Sequence, residues 1–162
     1  MIVWAAALVL LLAIGWSQWS ASKKALYFAY GFNTNSAKFK ERVPSARYRS
    51  NAALEGYEFR WQEHATVVPK AGSIAHGVLW QIDRDDLKGL DEFEFNYERK
   101  TIKVVSNRTV SAETYFMIER EENEPGIDEY KQVVHEGYEE HGVPLEQLES
   151  SESCTTHPSF PR

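Results

Sequence analysis

Apolar and polar residues alternate along this chain in different rhythms, and each rhythm predicts its own kind of element. Residues 25–30 (ALYFAY) form a dense apolar and aromatic run that stops at Gly31, the pattern of a buried strand followed by a turn through Gly31, Asn33 and Asn35. Tyr57, Phe59 and Trp61 alternate with Glu58, Arg60 and Gln62, a period of two that marks a strand with one buried face. Residues 65–68 and 74–82 read as two further strands, separated by a turn over Pro69-Lys70-Ala71-Gly72-Ser73. Residues 101–105 and 114–118 are β-branched and aromatic and predict two late strands.

Helical signals are fewer. Asn35 suits the cap of a brief helix over 36–42, which must end before Pro44 because the residue ahead of a proline leaves the α region. Asp83, with Asp86 three residues on, predicts a helix from Arg84 to about Phe93 that turns Leu87 and Leu90 inward. After Pro125 and Gly126, residues Ile127, Tyr130, Val133, Val134 and Tyr138 recur at helical spacing up to Gly142, and Leu145 and Leu148 extend the pattern past Pro144. Several short strands with few long helices between them argue against a doubly wound sheet. They predict an α+β fold: a small closed or strongly curved mixed β-sheet, barrel-like, flanked by short helices.

Two ends of the chain fall outside this pattern. Residues 2–15 are almost wholly apolar and are followed by Trp16, Trp19 and the pair Lys23-Lys24. Residues 1–21 therefore read as a hydrophobic leader: a signal peptide, an anchor with membrane contact through residues 2–19, or an atypical start. As an anchor it would leave the domain on the cytoplasmic side, because of Lys23 and Lys24; as a signal peptide it would lead to secretion. Residues 22–150 carry the patterned domain, and residues 151–162 read as a flexible polar tail. At 162 residues the chain has room for one such domain.

Charge and cysteine usage narrow the function. The net charge is −6, but residues 111–150 hold twelve acidic side chains against Arg120 and Lys131, a local −10 that would repel a phosphate backbone and excludes nucleic acid as a partner. Cys154 is the single cysteine, and His64, His76, His135 and His141 lack metal-ligand spacing, so no metal site is expected. Neither a G-x-G-x-x-G nor a G-K-[ST] loop is present. Asn107-Arg108-Thr109 is a formal glycosylation acceptor, relevant only to a secreted protein.

Two segments could carry chemistry. In Tyr27-Phe28-Ala29-Tyr30-Gly31-Phe32-Asn33 a buried strand runs into a glycine turn, where successive backbone N–H groups can make an anion site or oxyanion hole. In Leu90-Asp91-Glu92-Phe93-Glu94-Phe95, a continuing helix would send Glu92 and Glu94 to nearly opposite sides, whereas a strand would put them on one face. An inward carboxylate among aromatics would have its pKa raised by desolvation, which suits a general base.

Together these segments resemble the γ-glutamylcyclotransferase family, whose usual signature is Tyr-Phe-Ala-Tyr-Gly-Ser-Asn. Leu54-Glu-Gly-Tyr57, Ile74-Ala-His-Gly77-Val-Leu-Trp80, Asp86-Leu-Lys-Gly-Leu-Asp-Glu-Phe-Glu94 and the stretch from Tyr130 to Leu145 follow in the family's order, over roughly residues 25–150. The resemblance implies a lyase of glutathione metabolism that cyclises a small γ-glutamyl amino acid or amine to 5-oxoproline, releasing the free amine without a cofactor. It implies Glu94 as the catalytic general acid/base. Tyr27, Phe28, Ala29, Tyr30, Gly31, Phe32 and Tyr130 become the substrate-binding residues, with backbone N–H groups of Tyr30, Gly31 and Phe32 holding substrate oxygens. Family resemblance favours a cytoplasmic domain and leaves a homodimer open. Two positions depart from the pattern: Phe32 replaces a serine, and Phe95 replaces the glycine after the glutamate. A glycine there at φ > 0 would make Phe95 re-aim Glu94. The competing expectation is a non-catalytic small-ligand or protein-binding module that keeps the fold.

Overall fold

The computed structural model describes residues 23–62, 64–118 and 128–153. Within them the apolar runs become five strands, β1 (Lys24–Ala29), β2 (Arg47–Trp61), β3 (Ala65–Asp83), β4 (Tyr97–Val105) and β5 (Thr109–Met117). Four helices accompany them: α1 (Ser36–Arg42), α2 (Asp86–Phe93), α3 (Asp128–His141) and α4 (Glu146–Ser153). The strands close into a barrel in the order β1-β3-β2-β4-β5. Every neighbouring pair is antiparallel except β1 and β5, which meet in parallel where Tyr27 faces Glu113. The sheet is therefore mixed and closed, as the sequence pattern predicts.

The long hairpin of β2 and β3 differs from the expected shape. Residues 65–83 form one strand, not two separated by a turn. The turn chemistry of Pro69 to Ser73 is still expressed: Tyr57 pairs with Pro69 and Glu55 with Ile74, so residues 70–73 bulge out opposite the single residue Gly56. An irregularity of this kind bends the strand and sharpens its twist, which lets the hairpin wrap around the barrel. β2 is also longer than the alternation of 57–61 suggests, because residues 47–56 pair along β3 without a clean apolar period.

The core collects the aromatic residues of the early strands. Phe28, Phe39, Trp80, Ile82, Leu90, Val104, Val134 and Tyr138 have almost no exposed surface. Burying each large apolar side chain is worth about 1.5–3 kcal/mol. α1 starts where expected, with Asn35 Oδ1 accepting from the Lys38 N–H at 3.1 Å. α2 begins two residues later than expected: its N-cap is Asp85, not Asp83, and makes no side-chain cap, while Asp83 pairs with Lys24 and Asp86 accepts from Ser45. Of the two carboxylates predicted to cap the helix, Asp83 thus joins the ends of β3 and β1, and Asp86 ties the helix to the segment before β2.

α3 lies against the turn after β1 with no space between backbones. A Cβ built on Gly137 would fall 2.4 Å from Thr34 Oγ1 and 2.5 Å from the Asn35 nitrogen, so only glycine permits this approach. The neighbouring Tyr138 hydroxyl donates to the Tyr30 carbonyl at 2.7 Å. α4 extends to Ser153, three residues into the stretch expected to be a flexible tail. Ser151 is buried and accepts from the Trp61 N–H at 2.7 Å, which fastens this helix to the end of β2. The leader, residues 125–127 and Cys154 lie outside the described residues. Among the described residues no helix is long and apolar enough to cross a membrane.

Candidate active site

Strand β1 ends at Ala29, and the chain turns through Tyr30 and Gly31 into a single 3-10 turn, Phe32–Thr34. The turn is closed by the Gly31 carbonyl, which accepts from both the Thr34 N–H at 2.9 Å and the Thr34 hydroxyl at 2.8 Å. Beside it opens a cleft of about 190 Å³, whose walls bring together residues of β1, the turn, α1, the end of α2, β4, β5 and α3. Tyr27, Tyr30, Gly31, Phe32, Glu94 and Tyr130 all line this cleft. Phe28 and Ala29 do not: strand alternation turns the fully buried Phe28 away from Tyr27, and the Ala29 carbonyl packs against Gly77. These two support the wall from behind.

Glu94 is the C-cap of α2, with its N–H still bonded to the Leu90 carbonyl at 3.0 Å. The helical alternative therefore holds at this point, and Glu92 is exposed while the Glu94 side chain retains only 14% exposure. Glu94 Oε1 accepts from Asn33 Nδ2 at 2.9 Å and faces an Arg42 guanidinium nitrogen at 3.5 Å. Neither contact reaches Oε2. Burial pushes the Glu94 carboxyl above the usual carboxylate range, against the opposing pull of Asn33 and Arg42. No described residue other than glycine has a positive φ, so Phe95 follows Glu94 on an ordinary backbone and its ring projects outward, 77% exposed.

Tyrosines surround the carboxylate. Burial first, and the negative charge of Glu94 second or later, holds the phenols of Tyr27, Tyr30, Tyr97 and Tyr115 above their ordinary value, and Tyr130 is pushed up to about 12. They stay protonated and act as hydrogen-bonding groups. Tyr30 donates to the Tyr115 carbonyl, Tyr97 to the Ala65 carbonyl at 2.9 Å, and Tyr115 to Asp91 at 2.8 Å. Tyr27 and Tyr130 differ, because each oxygen is used as an acceptor. Tyr27 accepts from Asn33 Nδ2 at 2.8 Å, and Tyr130 accepts from the Ala65 N–H at 3.3 Å. Their own hydroxyl hydrogens remain available to the cleft.

Asn33 and Arg42 were not singled out as site residues from the sequence. The signal for Asn33 was present, as the last position of the Tyr-Gly-x-Asn turn; its carbonyl oxygen Oδ1 accepts from Arg42 at 3.1 Å while its amide holds Glu94. Arg42 gave no signal, since only the packing of α1 on the Phe32–Thr34 turn aims it here. Its guanidinium is stacked over the Phe32 ring at 4.3 Å and lies 5.2 Å from the Phe93 ring. Phe32 in turn stacks on Tyr130 with ring centroids 5.7 Å apart.

A closed mixed barrel with short flanking helices, and a cleft at the turn after its first strand, is the γ-glutamylcyclotransferase-like fold. A profile of the family described as gamma-glutamyl cyclotransferase, AIG2-like, matches residues 27–142, and the chain belongs to that family. It is 30% identical over 142 residues to a mouse γ-glutamylcyclotransferase, covering 76% of this chain and 75% of that one. To a human γ-glutamylcyclotransferase it is 28% identical over 142 residues, with the same coverage. A solved γ-glutamyl cyclotransferase structure superimposes with a TM-score of 0.73 at 25% identity, over 86% of this chain and 93% of the other.

Proposed function

We propose that this protein cyclises γ-glutamyl amino acids or amines to 5-oxoproline, with Glu94 moving the protons. The observation that carries the reading is the placement of Glu94: a buried carboxylate of raised pKa, held through Oε1 with Oε2 left for a proton, beside a turn with two tyrosine hydroxyls. The reaction needs little else. The substrate's α-amine is already tethered to the γ-carbonyl it attacks, so the protein has only to hold the chain in its bent form. An α-ammonium group has a pKa of about 8 and must lose a proton before attacking.

In this mechanism Glu94 takes that proton, the freed nitrogen attacks the γ-carbonyl carbon, and the amide C–N bond breaks as Glu94 returns a proton to the leaving nitrogen. The second proton of the ring nitrogen follows the same route, so 5-oxoproline and a protonated amine form with no water consumed. The hydroxyls of Tyr27 and Tyr130 and the N–H groups of Tyr30 and Gly31 are the donors for the γ-carbonyl oxygen and the α-carboxylate. A cleft of about 190 Å³ is smaller than the ~300–1,000 Å³ sites that enclose drug-sized ligands, and it suits one γ-glutamyl group with the rest of the substrate at the mouth. The outward ring of Phe95 and the buried Glu94 favour this reading over a binding module with a plugged pocket.

The test is 5-oxoproline release from a panel of γ-glutamyl amino acids by the full chain and by Glu94→Gln. Glutamine keeps the size and one hydrogen bond but cannot take the proton, and loss of a general base costs about 10²- to 10⁴-fold. Glu92→Gln, at an exposed position, is the control and should turn over normally. Near wild-type rates in Glu94→Gln would exclude it as the base.

A further inference from the structure

Large exposed apolar side chains are rare among the described residues, and three of the five lie close together in the fold, away from Tyr48 and Ile74. Among the described residues Phe93 (55%), Phe95 (77%) and Ile118 (56%) are the most exposed of them. Phe93 and Phe95 line the cleft, on either side of Glu94 in the sequence. Ile118 joins them through its N–H, which donates to the Asn96 carbonyl at 3.0 Å, and Asn96 is itself a lining residue. The mouth of the cleft is therefore rimmed by two phenyl rings, and the backbone of the exposed Ile118 is bonded to the same edge.

Charge at the same rim is already spent. Among the described residues Glu94 is the one carboxylate lining the cleft and Arg42 the one guanidinium, and they face each other at 3.5 Å. Arg42 is further held by Asn33 Oδ1 and by the face of Phe32. Among the described lining residues a leaving group carrying an ammonium side chain would meet no second carboxylate, and one carrying a second carboxylate would have to compete for Arg42. An apolar side chain would meet open aromatic faces.

Resting on the reading of the cleft as a γ-glutamyl site, we infer that Phe93, Phe95 and Ile118 form a leaving-group subsite selective for large apolar side chains. The preferred substrate class is then a γ-glutamyl amino acid or amine whose released part is aromatic or branched aliphatic. The γ-glutamyl moiety fills the cleft and the leaving group lies across the rim, covering rings that otherwise face water. Burial of a phenyl side chain on two aromatic rings corresponds to about a 10- to 100-fold gain over a methyl group.

The experiment compares γ-glutamyl-phenylalanine, γ-glutamyl-alanine, γ-glutamyl-lysine (linked through its α-amine) and γ-glutamyl-glutamate with the full chain. Turnover is followed by 5-oxoproline release, and binding separately by calorimetry with Glu94→Gln. The expected ratio of kcat/KM for the phenylalanine compound over the alanine compound is at least 10, with the charged compounds below alanine. Phe95→Ser and Ile118→Ser, both at exposed positions, should each reduce that ratio several-fold, and Phe95→Tyr should keep it. Equal kcat/KM for the phenylalanine and alanine compounds overturns the subsite and leaves the proposed reaction standing. So does a preference that neither serine variant reduces. If none of the compounds is turned over but the phenylalanine compound still binds at least 10-fold tighter, with Phe95→Ser in the Glu94→Gln background erasing the difference, the subsite stands and the reaction falls. Absence of both turnover and preferential binding overturns both.

Discussion

Asn33 Nδ2 lies 2.9 Å from Glu94 Oε1 and 2.8 Å from the Tyr27 hydroxyl, so one amide group ties the carboxylate to the floor of the cleft. The geometry depends on a nitrogen at that position. Asn33 is buried, and its backbone carbonyl is pinned by Trp80 Nε1 at 3.0 Å, so a substitution at the side chain leaves the turn in place.

Asn33→Asp replaces the donor by an oxygen facing Glu94. Two carboxylates this close do not both ionise, and the pair shares a proton until well above the normal range. The acidic limb of the kcat/KM profile should move to higher pH, with a fall of about 10²-fold at neutral pH. A pH–rate profile from 5 to 9 measures this; an unmoved limb would show that Asn33 does not set the state of Glu94.

Glu94 has a second consequence, on stability. Its folded pKa is raised, so the native state binds the carboxyl proton more tightly than the unfolded chain does. Stability from this group is fully present below the unfolded value near 4.5 and is lost as pH rises through the folded value. Glu94→Gln, which mimics the neutral form, should therefore melt at a higher temperature than wild type at pH 7 and at a similar one near pH 4. Melting curves at the two pH values test the sign; a less stable Glu94→Gln at pH 7 would mean that Arg42 and Asn33 outweigh burial.

Tyr130→Phe removes the oxygen that accepts from the Ala65 N–H while leaving the ring against Phe32 and His64. Leaving a buried donor without a partner costs about 1–3 kcal/mol, a drop of several degrees in Tm. On the proposed mechanism KM should also rise, because a donor to the substrate is lost. A thermal melt and Michaelis–Menten kinetics on the same preparation separate the two effects.

The barrel was legible because its strands are rich in β-branched and aromatic residues and broken by glycine and proline. The alternation of 57–61 and the aromatic run of 25–30 each reported a real strand. What the pattern hid was continuity: Pro69 and Gly72 mark a turn in any local reading, and only pairing with β2 reveals residues 70–73 as a bulge within one strand. The site divides the same way. Tyr27, Tyr30, Gly31 and Glu94 lie on local motifs and could be named; Arg42 could not, since its direction is set by where α1 packs. Phe28 and Ala29 belong to the motif but not to the cleft: alternation turns Phe28 to the side opposite Tyr27, and Ala29 is backed directly by Gly77.

The close seat of Gly137 on Thr34 and Asn35 has a bearing on how the protein comes into being. The turn that shapes the cleft is made near the start of the domain, yet the helix that presses it into form is synthesised about a hundred residues later. A chain still emerging from the ribosome can have all five strands in hand while the turn lacks its backing and Tyr130 is not yet made. Contacts so distant along the chain are slow to form, because a large loop must close before they contribute. The cleft is thus among the last parts of the molecule to be completed, and a nascent chain stalled before residue 128 would have its barrel strands but no finished cleft.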